Sequence, residues 1–486
     1  MFQQIQIMNR TKIFISVIAL IGLAGCTVGP KYHQPSAPVP AQFKEGTSSN
    51  NGQTNAIAYS NWWTIFNDPQ LDQLEQQADA ANQDVKAAIA RVDQAQAYLK
   101  ASRSYLFPTI TAGGSASRNR EAQNRPNNGN TNGRAATYND FQVSMLLGYE
   151  IDIWGRLRHS VEAASAMEQS NEANVRFVRL VVETGLAIDY YGLRELDAER
   201  EVLSSTLEAL RQAVDLTERR MSGGLASEYD VSIAKTLFDQ TDAQAKQIEI
   251  QRSQFEHVIA VLTGQPASSF SLARNPLKGM PPAIPAGLPS QLLERRPDIS
   301  QVERALAASN AQIGVARAAQ FPQFSLSAAA GFESVNPASL MSWQNSMASL
   351  GGGVLAPVFT GGRLKAQVEK ARATYRESLA SYEQSVLTAY QQVEDQLAAL
   401  RILTDEAHSE ANAVDDAQIT EQVAMNRYKT GLVSYLDVVN AQATLLYNER
   451  AQTQISGQQM VASVALVKAL GGGWLGVKNV GKTGGN

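Results

Sequence analysis

The most informative pattern in this chain is an alternation of apolar and polar side chains. Over Asp140–Ile153 nearly every second residue is apolar, and the residues between them are mostly small or polar. A period of two predicts a β-strand with one apolar face, and about thirteen residues are enough for a tilted strand to cross a bilayer core. Thr109–Ala116 and Gln323–Phe332 alternate in the same way, and Met347–Phe359 is a weaker, glycine-rich version. We predict four membrane strands; the alternative is a two-faced sheet packed on helices in water.

Four strands cannot close a barrel by themselves. In lipid, an open sheet edge leaves backbone N–H and C=O groups without hydrogen-bond partners. Each such group costs several kcal/mol. Several chains must therefore contribute strands to one barrel. Two chains would give eight strands around a filled interior, whereas three would give twelve strands around an open bore.

Long proline-free stretches predict long helices. No proline occurs from Asn127 to Gln265 or after Pro357, and an interior proline would break a helix. The two longest predicted helices have about 65 residues each, or about 100 Å at 1.5 Å per residue. The predicted helices are Leu71–Leu106, Gly155–Ser222, Ser227–Thr263, Leu292–Gln320, Arg363–Thr430 and Ser434–Leu470.

Leucines spaced by seven mark a coiled-coil seam in the first long helix. Such a stripe is the normal signature of helix packing, and we interpret it as core only. The seam consists of Leu196, Leu203 and Leu210, with Leu207, Val214 and Met221 between them.

Three short motifs occur twice, which indicates an internal duplication. Trp154–Leu157 recurs as Gly361–Leu364, and Ser104–Pro108 recurs as Ala318–Pro322. A spaced set that begins at Arg220 and includes Gly-Leu-x-Ser and Asp-Val recurs about 207 residues later. This period is far longer than that of solenoid repeats. We infer two similar halves, each with the element order α-β-β-α-α.

The chain is expected to divide into five parts. These are a signal peptide (1–25), a lipidated extended segment (26–68), a first repeat (69–286, hairpin at about 107–153), a second repeat (287–473, hairpin at about 321–360) and a flexible tail (474–486).

The N-terminus has the features of a secretory signal peptide. Basic residues precede the apolar run Ile13–Leu23, which is too short to span a bilayer. Leu23–Cys26 resembles a bacterial lipobox and contains the single cysteine of the chain. We predict that Cys26 becomes the lipidated first residue of the mature protein; an ordinary cleavage site beside a free cysteine is the alternative. Thr27, in place of an aspartate, favours the outer membrane.

Composition and motifs exclude several other functions. With 42 Lys and Arg against 46 Asp and Glu, the net charge is −4 and no basic run is present, which argues against nucleic-acid binding. A single cysteine excludes a disulfide framework, and the four histidines lack metal-ligand spacing. Gly476–Thr483 matches the P-loop pattern, but a helix precedes it and three residues follow it, so we interpret the match as coincidence. We predict no catalytic residue, no metal and no cofactor.

Two glycine-leucine turns join the helix pairs. They are Gly224-Leu225-Ala226-Ser227 and Gly431-Leu432-Val433-Ser434. The glycine suits a left-handed helix end and the serine can cap the next helix. Neither role requires the leucines, which are apolar residues at the tip of a helical hairpin. An apolar tip that occurs twice predicts a docking surface.

The lipobox-like segment, the duplicated halves, Tyr149–Arg156 and the two Arg…Gly-Leu-x-Ser…Asp-Val tips together resemble the TolC-type outer membrane efflux proteins, in particular lipidated OprM-like (NodT-type) channels. The resemblance covers about Trp62 to Gly473. It implies a mainly α fold with a transmembrane β-barrel part, in which a homotrimer forms a twelve-stranded β-barrel and a long periplasmic α-helical coiled-coil barrel. It also implies a passive exit duct for drugs and small solutes. The implied partners are outer membrane lipid, a periplasmic adaptor (membrane fusion) protein and an inner membrane RND-type transporter.

The resemblance also implies which residues dock the adaptor. In such channels the Gly-Leu tips meet the adaptor protein. The corresponding residues here are Gly224, Leu225, Ser227, Gly431, Leu432 and Ser434.

The resemblance places a resting aperture just beyond the second tip. Tyr428 matches a gating tyrosine and Asp437 an aperture carboxylate, with Asp230 as the equivalent acid of the first half. Relatives often carry a second acid where this chain has Asn440, and some carry an arginine where it has Val433.

Two further hypotheses remain beside the efflux channel. One is an outer membrane duct of a type I protein secretion system, which would share the fold. The other is a lipid-anchored coiled-coil structural protein without a pore. An enzyme is the least favoured class, and the sequence does not indicate the exported compounds.

Overall fold

The computed structural model describes residues 27–36, 39–46, 61–122, 137–284 and 289–472. The predicted signal peptide, Cys26, the tail from 474 and most of the first hairpin loop lie outside these residues. The chain forms two compact units. Unit 1 contains Val92–Asn171, Val302–Tyr382 and the segment up to Pro35; unit 2 contains the remaining residues. Within the described ranges, no helix combines the length and hydropathy needed to cross a membrane.

The long helices of the two halves match in length, as the duplication predicts. The two longest helices have 67 residues each, and the helix that follows each of them has 35. In chain order the helices of the described part are α1 Pro69–Ala81, α2 Gln83–Ser104, α3 Arg156–Ser222, α4 Glu228–Leu262, α5 Leu292–Arg295, α6 Pro297–Ala318, α7 Arg363–Lys429 and α8 Tyr435–Ala469.

The prediction of one continuous helix over Leu71–Leu106 was wrong, because the chain breaks at Asn82. The Asn82 backbone is extended there, and its side-chain Oδ1 accepts from the amides of Asp84 at 2.9 Å and Val85 at 3.2 Å. Its Nδ2 donates to the carbonyl of Leu262 at 2.9 Å. Asparagine therefore caps the second helix, which its side chain favours over a place inside a helix.

The second half breaks at the equivalent place for another reason. Arg296 separates α5 from α6, and Pro297 opens α6. Proline has no N–H to continue the preceding helix, and its fixed φ suits a first helical turn. The predicted single helix from Leu292 to Gln320 is therefore wrong.

The four predicted strands form one antiparallel sheet in unit 1. Their order is β1-β2-β3-β4, so the first and last strands are the two outer strands. In the register of the central pair, Val143 faces Phe332 and Met145 faces Ala330. Apolar residues thus share one face, as a period of two requires. The strands are β1 Thr109–Arg120, β2 Thr137–Ile151, β3 Gln323–Ser334 and β4 Ser346–Leu355.

The fourth strand is shorter than predicted. It ends at Leu355 and does not extend to Phe359. Pro357 follows two residues later, and proline cannot donate to a strand ladder. Conversely, β1 and β3 extend to Arg120 and Ser334, beyond the predicted ends.

The Tyr149–Arg156 motif forms the junction between β2 and α3. Arg156 makes two hydrogen bonds to the Glu150 carboxylate, at 2.9 and 2.6 Å. The Trp154 ring stacks on Phe321 with centroids 4.8 Å apart, and its Nε1 donates to the Pro322 carbonyl at 2.7 Å. These contacts tie the junction of the first half to the Phe-Pro motif of the second.

In the described part of unit 2, an extensive hydrophobic core surrounds the Trp62–Phe66 turn. Trp62 and Tyr190 are fully buried in it, together with side chains of α1, α3, α4 and α8. The predicted seam is confirmed at Leu196, Leu203 and Leu210, whose exposed fractions are 5%, 0% and 1%. Met221 is 40% exposed, so the seam ends before it, one residue from the end of α3.

Candidate functional site at the helical hairpin tips

Both Gly-Leu turns end their helix in the same way. In the first, the Leu225 amide donates to the Arg220 carbonyl at 2.7 Å and the Gly224 amide to Met221 at 2.9 Å. Gly224 has φ +71° and Gly431 has φ +79°, values that residues with a Cβ rarely adopt. The second turn repeats both hydrogen bonds one period later. This arrangement is a Schellman motif, which satisfies the last carbonyls of each long helix.

The helix after each turn begins with a reciprocal cap that the sequence analysis missed. Asp230 Oδ2 accepts from the Ser227 amide at 2.8 Å, and Ser227 Oγ accepts from the Asp230 amide at 3.2 Å. Asp437 Oδ2 accepts from the Ser434 amide at 3.0 Å and from its hydroxyl at 2.7 Å. The signal was present as serine followed three residues later by an acid, which is the spacing of a capping box.

The two leucines are exposed at the tips, as predicted. Leu225 and Leu432 each keep 71% of their surface open to solvent. Tyr229, beside the first tip, is 64% exposed. The chain therefore presents two similarly exposed leucine side chains at equivalent positions. Exposed apolar side chains at a fixed, capped turn are typical of a binding surface.

The predicted aperture residues do not lie in one environment. Asp437 and Asn440 are exposed on α8, and Asp230 is half-buried on α4. Tyr428 is buried, with 4% of its surface exposed. Val433 is partly buried against the same core. Tyr428 is therefore packed inside the hairpin pair, and the side chains of Asp437 and Asn440 face outward.

Tyr428 is held by a residue of the other hairpin. The guanidinium carbon of Arg220 lies 4.7 Å from the centre of the Tyr428 ring, and Arg220 Nη1 donates to the Lys429 carbonyl at 3.2 Å. On its other side Tyr428 meets the ring of Tyr435 at 5.1 Å. Arg220 and Tyr435 were not among the predicted site residues. The repeat marked Arg220, but its contact partner lies more than two hundred residues away in the chain.

Burial keeps the Tyr435 hydroxyl in the neutral form. Burial, with a smaller contribution from Tyr428, raises the pKa of Tyr435 to about 12. The hydroxyl of Tyr435 therefore stays protonated at any physiological pH. The Arg220 guanidinium lies against the Tyr428 ring and donates to the Lys429 carbonyl.

Among the residues that the structure describes, no group of three or more His, Cys, Asp or Glu could hold a metal ion. The tips offer apolar surface, backbone caps and an arginine–tyrosine contact. Such an arrangement suits binding and mechanical closure.

Comparison with known proteins identifies the class. The family model for outer membrane efflux proteins matches residues 74–265 and 288–472. The antibiotic efflux pump outer membrane protein ArpC of Pseudomonas putida is 33% identical over 475 residues, which is 96% of each chain. The pyoverdine export outer membrane protein OpmQ of Pseudomonas aeruginosa is 31% identical over 465 residues, 95% of this chain and 96% of OpmQ. The structure of the outer-membrane channel OprN superposes with a TM-score of 0.87 at 30% identity, over 93% of this chain and all of OprN.

The chain belongs to the outer membrane efflux protein family. It is the outer membrane component of an efflux pump and serves as a passive exit duct. It resides in the outer membrane, with a large periplasmic part. The predicted family and fold class, those of the TolC-type channels, are confirmed.

Proposed function

We propose that three copies of this chain form one exit duct of a tripartite pump for drugs or other small solutes. The observation that carries the proposal is the open sheet, in which β1 and β4 are the outer strands. Pairing β4 of each protomer with β1 of the next closes twelve strands around a water-filled bore. The proposed partners of this trimer are a periplasmic adaptor protein and an inner membrane RND-type transporter.

The exposed turns are the proposed adaptor contacts. Each chain exposes two leucines at its tips, Leu225 and Leu432, so the proposed trimer presents six. The turns hold the two leucines in fixed positions. In each turn the serine and the aspartate hydrogen-bond to each other, and the glycine adopts the left-handed conformation that ends the helix. Preorganised apolar tips reduce the ordering cost of docking.

The resting aperture is proposed to depend on Tyr428, Asp437, Asp230 and Asn440. Tyr428 and Arg220 lock one hairpin to the other, and Asp437 contributes one carboxylate from each chain to a ring that favours cations. Asn440 in place of a second acid gives this chain fewer aperture charges. Adaptor binding opens the duct only if it favours the open arrangement over the closed one.

The anchor and the chain organisation remain proposals from the sequence. Cys26 is the proposed lipidation site, and the domain boundaries are those given above. We also infer that the chain has no enzymatic activity, since the family to which it belongs consists of channels.

Planar-bilayer recording of the purified full chain tests the duct. A water-filled pore gives discrete conductance steps, and a structural coiled-coil protein without a pore gives none. A deletion strain then separates the kinds of export: increased drug susceptibility with an unchanged secreted-protein profile supports small-solute efflux. The reverse pattern would indicate protein secretion.

A further inference from the structure

Unit 2 contains a cavity away from the tips. It has a volume of about 540 Å³ and lies among α3, α4, α7 and α8. That volume is within the range of small-molecule sites, roughly 300–1,000 Å³. Leu196, Phe255 and Val461 form an apolar wall, and glutamines of α4, α7 and α8 supply amide groups. An apolar wall with a few polar groups is the usual composition of a ligand site.

Two glycines bring a carboxylate and an aromatic ring into this cavity. A Cβ at Gly457 would overlap the side chain of Glu195, and a Cβ at Gly192 would lie 2.9 Å from Cζ of Phe255. The Glu195 side chain therefore rests directly on the backbone of α8, and the Phe255 ring rests on the backbone of α3. Both side chains line the cavity.

The nearby cationic side chain, Arg450, pairs with Glu199 rather than with Glu195. Arg450 Nε donates to Glu199 at 2.6 Å, its Nη2 pairs with the same carboxylate, and its Nη1 donates to Gln244 at 3.0 Å. Glu199 and Glu195 lie one turn apart and both line the cavity, and Arg450 neutralises Glu199. Burial, followed by Glu199, raises the pKa of Glu195 to about 7, and Arg450 opposes this increase. The residues of α4 and α7 that line the cavity carry no charge.

We propose that this cavity binds a small organic cation with an apolar body, such as an aryl amidinium. The cationic end pairs with the Glu195 carboxylate, and the glutamine amides accept its remaining N–H groups. The flat body contacts Leu196 and the Phe255 ring, whose face attracts positive charge. The proposal concerns a binding site in one protomer, and it does not depend on the role of the tips or of the aperture.

The test is a titration of the purified full chain in detergent with benzamidine, followed by ligand-observed NMR. Benzamide serves as the neutral probe of the same shape. Benzamidine is expected to bind at least tenfold more tightly than benzamide. Glu195→Gln should weaken benzamidine binding by roughly 10- to 100-fold, the effect of losing a hydrogen bond to a charged group. The matched control Glu201→Gln changes an exposed carboxylate of the same helix and should leave the affinity unchanged.

A pH series on the unmodified protein provides a second measurement that needs no variant. Benzamidine stays cationic between pH 6 and pH 8, whereas Glu195 loses its proton over this range. The affinity of the protein for benzamidine should therefore rise about tenfold from pH 6 to pH 8. Equal affinity in Glu195→Gln and the unmodified protein, equal affinity for the two probes, or an affinity independent of pH would each overturn the proposal.

Discussion

Arg220 of the first hairpin covers the ring of Tyr428 in the second, with 4.7 Å between the guanidinium carbon and the ring centre. The same guanidinium also donates to the backbone carbonyl of Lys429. One side chain therefore joins the ends of both long helices. A cation–π contact of this kind contributes about 0.5–2 kcal/mol, depending on desolvation. Such an energy is suitable for the proposed closure, which adaptor binding would have to reverse.

Arg220→Ala should increase the open fraction of the channel. The substitution removes both the ring contact and the hydrogen bond to Lys429, so one hairpin is released from the other. Single-channel recording should show a higher mean conductance. Arg219→Ala is the matched control, because it removes an exposed charge from the neighbouring position. If both variants conduct like the unmodified protein, the contact has no part in closure.

Asp437→Asn should raise the conductance and reduce the preference for cations. The substitution removes one carboxylate per chain from the proposed aperture. It also weakens the cap of α8, which costs about 1 kcal/mol. Ser434→Ala separates the two effects, because it weakens the cap and keeps the carboxylate. Reversal potentials in a salt gradient measure the selectivity, and identical potentials in Asp437→Asn and Ser434→Ala would argue against an aperture role.

Leu432→Asp should reduce crosslinking to the adaptor without lowering the yield of trimer. The side chain is 71% exposed and makes no part of the core, so a charge there changes the docking surface rather than the fold. Leu225→Asp tests the equivalent tip in the same way. Crosslinking in intact cells, with trimer yield as the internal control, gives the measurement. Undiminished crosslinking in the double variant would remove the tips from the docking surface.

Glu75→Gln should reduce the loss of stability at alkaline pH. Glu75 is fully buried, and burial, together with Glu183 and Asp72, raises its pKa from 4.5 to about 10. A carboxyl group whose pKa is higher in the folded state contributes stability that is fully present below about pH 4.5. That stability is lost, by up to about 1.4 kcal/mol per pH unit, as the pH rises towards 10.

The melting temperature at pH 5 and pH 9 measures this effect. The unmodified protein should lose several degrees more than Glu75→Gln between the two conditions. Glu406→Gln, which alters an exposed carboxylate, should behave like the unmodified protein. An equal loss in all three proteins would show that the pKa of Glu75 is the same in the folded and the unfolded chain.

The elements with a strong local signal could be predicted from the sequence. The alternation located all four strands, and glycine turns located the ends of the long helices within one or two residues. The break at Asn82 was missed although asparagine favours a cap, and its bond to the carbonyl of Leu262, 180 residues away, could not be predicted. By contrast, Leu225 could be assigned to an exposed tip from its position beside glycine.

The contacts between the halves could not be predicted. Tyr428 was recognised by its place beside the second turn, but its partner Arg220 lies in the other half of the chain. Four helices line the cavity at Glu195. Only their packing shows that Arg450 pairs with Glu199 rather than with Glu195. Local patterns determine where elements begin and end, whereas partners distant in sequence depend on the tertiary fold.

Closure of the sheet by neighbouring chains is the central claim, and disulfide crosslinking tests it most directly. Thr109 begins β1 and Leu355 ends β4, so both lie at the same end of the antiparallel sheet. The double variant Thr109→Cys, Leu355→Cys, compared with each single variant after mild oxidation in membranes, reports whether these strands meet between chains. The account predicts a ladder on denaturing gels that ends at three chains for the double variant alone. Migration of the double variant as a single chain, like both single variants, would contradict it.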